Sequence, residues 1–318
     1  MPMEPIKGLH HVTALAGDPQ ANVDFYVVVL GLNLVKRTVN FDDPGTYHLY
    51  YGDDVGHPGT ILTFFPWPGA PQGRRGTGQA TATAFAAPQG SLEWWTERLA
   101  GQAVDFDSVE ERFGERVLPF YDPDGLKLEL VEQEGVAGWS YWQEGTIPAA
   151  HAIRGFHGVT LTVAGFERTA ELLTTMGFQA GGKEGNRYRH VSGHRERGAA
   201  IDLVCAPEIQ PGVVAVGTVH HIAFRSVSEE DQLGWREKIA KTGLDVTPVV
   251  DRQYFHSIYF RDPGGVLFEI ATDPPGFTLD EKPGQLGSAL RLPPWLEPRR
   301  RRIEETLPPI RVPQPTRT

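Results

Sequence analysis

A short pattern of predicted elements recurs four times along the 318-residue chain, and this repeat constrains the fold more than any other feature. Each copy has a strand-like apolar run, a helix-like run that ends at a glycine, and then further strand-like runs. A glycine just past the last helical residue is the usual left-handed terminator of a helix. The four helices are predicted to end at Gly31, Gly101, Gly177 and Gly243. We therefore predict four βαβββ modules.

The repeat is clearest at the ends of the second and fourth modules. Residues 120–130 align without a gap on residues 260–270, and both segments read as strand, Asp-Pro-x-Gly turn, strand. Such turn residues favour a hairpin. A single module curls too small a sheet to bury its own apolar face, so the modules must pair. The predicted fold class is α+β, with four βαβββ modules that form two half-open barrels.

The repeat also predicts the domain boundaries. Residues 1–149 should form the N-terminal pair of modules, and residues 150–280 the C-terminal pair. Residues 281–318 are rich in proline and arginine and are predicted to be a C-terminal strap. Its four consecutive arginines fall within a predicted amphipathic helix anchored by Trp295 and Leu307, which favours a surface element over a nucleic-acid site.

The composition excludes several classes of protein. Hydrophobic residues make up 40% of the chain and charged residues 22%, as in ordinary globular proteins. The net charge of −10 argues against nucleic-acid binding. Since the sequence has neither a signal peptide pattern nor an apolar run of about 18 residues, we expect a cytoplasmic protein with no membrane partner. The oligomeric state stays open, a homo-oligomer included.

Two His-His pairs occupy equivalent places in the first and fourth modules, at His10-His11 and His220-His221. Side chains alternate between the two faces of a strand, so only one histidine of each pair can point into a barrel. The apolar residue after each pair belongs to the core face, which leaves His11 and His221 on the opposite face. A single such pair is more often a core or edge histidine, but two pairs at equivalent positions favour a shared site.

Glu269 lies at the centre of the last apolar strand of the fourth module. A lone buried carboxylate is costly, and a metal ion would remove that cost. Two imidazoles and one carboxylate form the facial triad of non-haem Fe(II) oxygenases, which leaves open positions for substrate and dioxygen. The metal barrel is therefore predicted to combine residues 7–75 with residues 217–275.

The second and third modules serve as an internal control. Glu129 matches the fourth module's glutamate, but Ala82 or Thr81 stands where a ligand histidine would be in the second module. The third module has Gly158 at that place, with His157 one residue off and so on the other face. We therefore interpret Glu129 and His157 as structural and the second barrel as scaffold.

Four βαβββ modules with His-His-Val/Ile openings resemble the vicinal oxygen chelate superfamily, which includes glyoxalases, bleomycin and fosfomycin resistance proteins and extradiol dioxygenases. More narrowly, residues 8–14, 39–53 and 59–67 resemble the ring-cleaving dioxygenases that act on hydroquinones. The resemblance implies an enzyme that cleaves a hydroquinone or catechol ring with O₂. It also implies an Fe(II) cofactor, with Mn(II) as the alternative.

On this resemblance the metal ligands are His11, His221 and Glu269. Five further residues are implied as catalytic groups around the metal: His10, Thr13, His220, Arg252 and Tyr259. Thr13 shares the inward face with its neighbouring ligand, and Tyr259 lies opposite the ligand glutamate if the intervening hairpin has a three-residue loop. His10 and His220 have the wrong parity for a regular strand, so their roles require a bulge or a place at the barrel mouth.

Two other functions stay open at this stage. Glyoxalase-type isomerases or lyases of this superfamily use a fourth protein ligand, whereas residues 59–65 offer neither carboxylate nor imidazole. A metal-free protein that binds an aromatic ligand is the other alternative. The ring substituents and the choice between para- and ortho-diols are also open. His48 and His256, at similar places in the repeat, could line the pocket or pack in the core.

Overall fold

The computed structural model describes residues 4–193 and 196–313. It contains two curled eight-stranded sheets with helices against their outer faces, which confirms the predicted α+β class and the two half-open barrels. No helix of the described residues is long and apolar enough to cross a bilayer.

The first sheet combines the first and fourth modules. The first module supplies β1 (Leu9–Ala16), β2 (Asn33–Val39), β3 (Tyr47–Gly52) and β4 (Ile61–Pro66). The second sheet begins in the second module, with β5 (Gln79–Ala87), β6 (Glu110–Arg112), β7 (Glu115–Tyr121) and β8 (Lys127–Glu132). The third module adds β9 (Phe156–Val163), β10 (Phe178–Glu184), β11 (Arg187–Ser192) and β12 (Ala200–Cys205). The fourth module completes the first sheet with β13 (Val219–Ser226), β14 (Val250–Asp251), β15 (Phe255–Arg261) and β16 (Leu267–Pro275).

The two sheets have the same topology. Their strand orders are β14-β15-β16-β13-β1-β4-β3-β2 and β10-β11-β12-β9-β5-β8-β7-β6. In each sheet the opening strands of two modules pair antiparallel at the centre, β1 with β13 and β5 with β9. The first and fourth modules, which are far apart in sequence, therefore share the first barrel, and the second and third modules share the second barrel.

Each module carries one helix, and a fifth lies near the C-terminus: α1 (Pro19–Asp24), α2 (Leu92–Gly101), α3 (Glu167–Thr175), α4 (Glu229–Ala240) and α5 (Arg300–Thr306). A π-helical turn, Phe25–Val29, extends α1. Positive φ angles of 65°, 98° and 88° at Gly31, Gly177 and Gly243 confirm three of the predicted helix ends.

The helix of the second module also ends at Gly101, but this glycine is the last helical residue and does not adopt the left-handed conformation. The left-handed residue is Ala103, with a φ of 53°. The amide of Val104 donates to the carbonyl of Leu99, which closes a Schellman-type turn two residues later than the glycine.

The strap after residue 280 packs on the first sheet through Leu292, Leu296, Ile303 and Leu307, which are at most 8% exposed. Trp295 was predicted to be an anchor, but it is 48% exposed and meets Phe41 edge to face. The neighbouring leucine takes the inward position instead. Predicted strap residues 314–318 lie outside the described residues.

A buried ion pair fastens the start of the strap to the barrel. Lys36 is fully buried on β2, and its Nζ lies 2.6 Å from Asp280 and 2.5 Å from Glu281. Tyr254 donates to Asp280, and its ring lies beneath the ammonium. Since two carboxylates compensate one buried cation, the strap is joined to the wall of the first barrel.

The loop after β3 is held by Asp53 and supports the strand that carries the first His-His pair. Asp53 accepts the amides of Gly56 and His57 and lies 2.7 Å from His57 Nδ1. The amide of Gly59, at the far end of this loop, donates to the carbonyl of His10. Although burial opposes ionisation, the hydrogen bonds from His57 and Ser140 hold the pKa of Asp53 well below its usual value.

We expect Asp53→Asn to destabilise the protein most at about pH 5. The low pKa of Asp53 adds stability above its unfolded value near 3.9, and this is lost as the pH falls through the folded value. The hydrogen bond to Asp53 raises the pKa of His57, which adds stability below about 6.5 that is lost as the pH rises through the folded value. Urea unfolding should show a loss of about 1–3 kcal/mol at pH 5 that shrinks towards both extremes. An equal loss at every pH would contradict this linkage.

Candidate metal centre

The two His-His pairs lie side by side at the centre of the first sheet, and each pair contains a bulge. The ladder between β1 and β13 pairs His11 with Ala223 and His221 with Thr13, and it leaves His10 and His220 without a partner residue. An extra residue in one strand re-aims its side chain. Both histidines of each pair therefore reach the same region, which supplies the bulge that a role for His10 and His220 requires.

Three side chains converge on one point between these strands and β16. His11 Nε2 lies 3.3 Å from His221 Nε2 and 3.4 Å from Glu269 Oε2, and His221 Nε2 lies 2.9 Å from the same oxygen. These side chains are 2%, 7% and 0% exposed. Among the described residues they form the one cluster of three histidine, cysteine or acidic side chains with metal-ligand spacing.

The cluster fits a divalent metal. Metal–ligand bonds of about 2.1 Å at right angles place neighbouring ligand atoms about 3 Å apart, close to the separations seen here. Glu269 Oε2 is buried and receives no aligned hydrogen bond, although both imidazole nitrogens point at it. The other oxygen accepts from Ser257. One oxygen is thus fixed by a hydroxyl, and the second is left for a ligand bond.

The electrostatics of the cluster favour the protonation states that bind a metal. Although burial opposes ionisation, the contacts with His11 and His221 hold the pKa of Glu269 well below its usual range. Burial lowers the pKa of His221, against the effect of Glu269. The site therefore presents a carboxylate and a neutral imidazole at neutral pH.

The first histidine of each pair is placed to orient the second. His10 Nδ1 lies 2.9 Å from His11 Nδ1, and His220 Nδ1 lies 2.7 Å from His221 Nδ1. Burial, reinforced by His221, lowers the pKa of His220 to about 3, and burial with His11 lowers that of His10. Neutral imidazoles in these places fix the ring orientation of the ligands while Nε2 of each faces the metal position.

Replacing His10 with alanine should weaken metal binding by about 10–100-fold, since the variant loses the hydrogen bond that orients His11. Competition with a chromophoric chelator under anaerobic conditions measures the affinity. His157 is the matched control, because it occupies the equivalent bulge in the second barrel and pairs with Glu115. Unchanged affinity in His10→Ala, or an equal loss in His157→Ala, would contradict the orienting role.

A cavity of about 280 Å³ opens onto the cluster, and most of its wall is aromatic or apolar. It is lined by His11, Asn40, Phe41, Asp42, His48, Tyr50, Phe65, Trp67, His220, His221, Arg252, Phe255, Tyr259, Leu267 and Glu269. Sequence reasoning missed the residues that the loop after β2 and the end of β4 contribute, Asn40, Phe41, Asp42, Phe65 and Trp67. Phe65 and Trp67 stack on each other, with centroids 6.1 Å apart. The cavity is a slot suited to one planar ring.

Tyr259 and Arg252 form a polar edge of this cavity. Tyr259 pairs with Glu269 across β15 and β16, and Arg252 Nε donates to its hydroxyl over 3.0 Å. Arg252 Nη1 donates to Asp42 over 2.9 Å. Burial, with the Glu269 carboxylate, raises the pKa of Tyr259, so its phenol is protonated at neutral pH. Because Arg252 is the donor in this contact, the phenol keeps its own proton to donate, either to the neighbouring Ser257 hydroxyl or to a bound molecule.

Thr13 does not line the cavity but belongs to a hydrogen-bond chain that reaches the opposite wall at His48 and Tyr50. Thr63 donates to Thr13 over 2.9 Å, His48 Nε2 lies 2.8 Å from Thr63, and the Tyr50 hydroxyl lies 2.8 Å from His48 Nδ1. The matching registers of the two modules place Thr63 at the position that Glu269 has in the fourth module. A threonine therefore occupies the place where a carboxylate would stand as the fourth protein ligand.

His48 and His256 lie at similar but not equivalent places. Tyr50 pairs with Thr63 as Tyr259 pairs with Glu269, so His48 corresponds to Ser257, and His256 is the residue before it. His256 Nδ1 contacts Glu229 over 2.9 Å at the surface. His48 lines the cavity, so the two histidines have different roles.

The second barrel fills its equivalent positions with ion pairs. Glu129 lies 2.8 Å from Arg112, and Asp202 is paired with Arg189. A Cβ at Gly158, the counterpart of His11, would lie 1.9 Å from the carbonyl oxygen of Ala200. A histidine has no room there, and the described residues of this barrel contain no cluster of three side chains with metal-ligand spacing.

Comparison with known proteins places these features in a family. The sequence model of the Glyoxalase/Bleomycin resistance protein/Dioxygenase superfamily matches residues 8–130 and 141–270. The chain is 51% identical over 307 residues to the "Putative ring-cleaving dioxygenase MhqO" of Bacillus subtilis strain 168, covering 96% of this chain and 97% of that protein.

Two further similarities extend over nearly the whole chain. The chlorohydroquinone/hydroquinone 1,2-dioxygenase of Sphingobium indicum is 39% identical over 303 residues, which are 92% of this chain and 94% of that enzyme. The crystal structure of a "putative dioxygenase" from Bacillus subtilis superposes with a TM-score of 0.93 at 50% identity, covering 98% of this chain and 99% of that one.

Proposed function

The chain belongs to the glyoxalase/bleomycin resistance protein/dioxygenase superfamily, and we propose that it is an Fe(II)-dependent dioxygenase that cleaves the ring of a hydroquinone with O₂. The observation that carries the proposal is the convergence of His11, His221 and Glu269 on one point at the end of an aromatic slot. The similarity to a hydroquinone dioxygenase supports a para-diol over a catechol.

Iron would be held by His11, His221 and Glu269, and when bound it supplies open coordination positions and the electrons that activate dioxygen. The three ligands are buried, so the wall around them excludes bulk water. A deprotonated diol bound there would be attracted to the iron more strongly than it would be in water. Phe65 and Trp67, which stack on each other in one part of the wall, would hold an aromatic ring in a fixed orientation, which lowers the entropic cost of reaction.

Tyr259 is proposed to be the proton donor. Its phenol stands on the same face as Glu269, is protonated at neutral pH, and is held in place by Arg252. A hydroxyl there can hydrogen-bond a substrate oxygen and give up its proton as negative charge develops on that oxygen. His48 lies on the opposite wall, and burial lowers its pKa. As a neutral group it can accept or donate one hydrogen bond with no added charge.

Thr63 distinguishes this proposal from a glyoxalase-type reaction. An isomerase with four protein ligands needs a carboxylate or imidazole in its place, whereas three ligands leave room for one oxygen of the diol and for dioxygen. The distinction predicts oxygen consumption and not isomerisation.

The experiment is an oxygen-electrode assay on protein purified anaerobically and loaded with Fe(II), Mn(II) or Zn(II). The proposal expects rapid oxygen uptake with hydroquinone and chlorohydroquinone in the iron form, slower uptake with catechol, and none in the zinc form. Turnover of a glutathione hemithioacetal without oxygen uptake would identify an isomerase. Faster uptake with catechol would reverse the diol preference.

A further inference from the structure

One side chain with a permanent positive charge lines the substrate cavity, and it is already paired with a carboxylate. Arg252 is the one lysine or arginine among the described residues that line the cavity. Its Nη1 lies 2.9 Å from Asp42 Oδ2, and its Nε donates to Tyr259. Although burial opposes it, these contacts raise the pKa of Arg252, so the guanidinium keeps its charge.

The two partners come from different modules and meet at the cavity mouth. Asp42 follows β2 in the first module, and Arg252 follows β14 in the fourth, 210 residues away. The arginine side chain is 22% exposed and the aspartate 75% exposed. Asp42 therefore faces the route by which a substrate enters, while Arg252 faces the slot.

Apart from the proposed iron, no other positively charged side chain among the described lining residues is available to an anion. His220 is hydrogen-bonded to His221, and His48 is shared between Tyr50 and Thr63. A ring substituent with a negative charge would have to displace Asp42 from Arg252 or lie beside its carboxylate. Like charges so placed reduce binding, and they do so selectively for the charged ligand.

We propose that Asp42 is a specificity-determining residue: by compensating Arg252 it excludes hydroquinones that carry a ring carboxylate and admits those with uncharged substituents. The inference rests on the proposed function, since it concerns which hydroquinone enters the same cavity. It assigns a role to a residue outside the metal ligands and the proton donor.

Asp42→Asn is the informative variant. Asparagine keeps an oxygen that can accept from Arg252, so the arginine stays in place while its charge is no longer compensated. Asp43→Asn is the matched control, because it removes one negative charge from the same loop and keeps the acceptor for Thr46. Asp43 is absent from the cavity wall.

The measurement compares kcat/KM for hydroquinone with that for gentisate, the hydroquinone that carries a ring carboxylate, in the iron-loaded protein. The wild type should prefer hydroquinone. Asp42→Asn should raise the gentisate-to-hydroquinone ratio about fivefold, mainly through the KM of gentisate, and the gain should shrink with added salt. In Asp43→Asn the ratio should change less than about twofold.

Several outcomes would overturn the inference. These are a wild type that uses gentisate as well as hydroquinone, an unchanged ratio in Asp42→Asn with normal hydroquinone turnover, or an equal gain in Asp43→Asn. If no hydroquinone supports oxygen uptake, the proposed function fails, and anaerobic titration monitored by tryptophan fluorescence then decides the inference alone. Tighter binding of gentisate to Asp42→Asn only would support it; equal binding, or none, would overturn it.

Discussion

Glu269→Gln is expected to lose at least about 100-fold in metal affinity and, with the metal, nearly all activity. The variant removes the only negatively charged ligand of the three, and even residues that merely orient a ligand cost 10–100-fold when they are mutated. His11→Ala and His221→Ala should have the same effect. Metal content per chain after anaerobic loading and gel filtration measures the loss, with circular dichroism to confirm the fold.

Glu129→Gln is the control for these variants, because Glu129 has the equivalent position in the second barrel. It should bind metal normally and instead lose stability, since it leaves Arg112 without its buried partner. If Glu129→Gln lost the metal while Glu269→Gln kept it, the metal site would lie in the second barrel, and the assignment to the first would be contradicted.

Tyr259→Phe is expected to keep the metal and the fold but to lower kcat at least about tenfold, which corresponds to about 1.4 kcal/mol of barrier. The substitution preserves the ring that packs edge-on against His221 and removes only the hydroxyl. General acid–base groups commonly contribute about 10²–10⁴-fold to a rate. Steady-state oxygen uptake on preparations of equal iron content measures the effect.

Tyr51→Phe is the matched control, since Tyr51 is also buried and its hydroxyl bonds Asn22 in the core. It should leave kcat unchanged and cost only stability. An unchanged kcat in Tyr259→Phe would assign Tyr259 to packing, and a loss of iron would make it a support for the ligands.

The fold could be predicted because it is encoded four times. The aligned Asp-Pro-x-Gly hairpins and the repeated helix stops carry local backbone preferences, and one module cannot bury its own sheet. Gly101 shows the limit of this reasoning. The α2 helix ends there, but the left-handed residue of its terminal Schellman-type turn is Ala103 and not the glycine, and that choice depends on packing that a single residue type does not reveal.

Strand parity placed His11 and His221 on the inward face, the cost of burying a lone carboxylate singled out Glu269, and the structure brings these three side chains together. Parity fails wherever a bulge adds a residue. It could not place His10 and His220, which lie at bulges. Bulges have no strong sequence signal, so these positions needed the structure.

Contacts between loops of different modules could not be predicted from the sequence. Nothing in the spacing of Asp42 and Arg252 indicates that they meet, because their contact depends on how the first and fourth modules pair. Trp295 gave a misleading signal, since its size predicts burial, while the smaller Leu296 beside it takes the inward position. Such choices follow from local geometry after the barrels have formed.

Isotopically labelled dioxygen tests the central claim most directly. The iron-loaded protein is supplied with hydroquinone and labelled O₂, and the product is identified by mass spectrometry. The account predicts a ring-opened product that contains both atoms of the dioxygen, formed by the wild type and not by Glu269→Gln. An intact quinone without label would show that the protein oxidises hydroquinones without cleaving them, and would contradict the account.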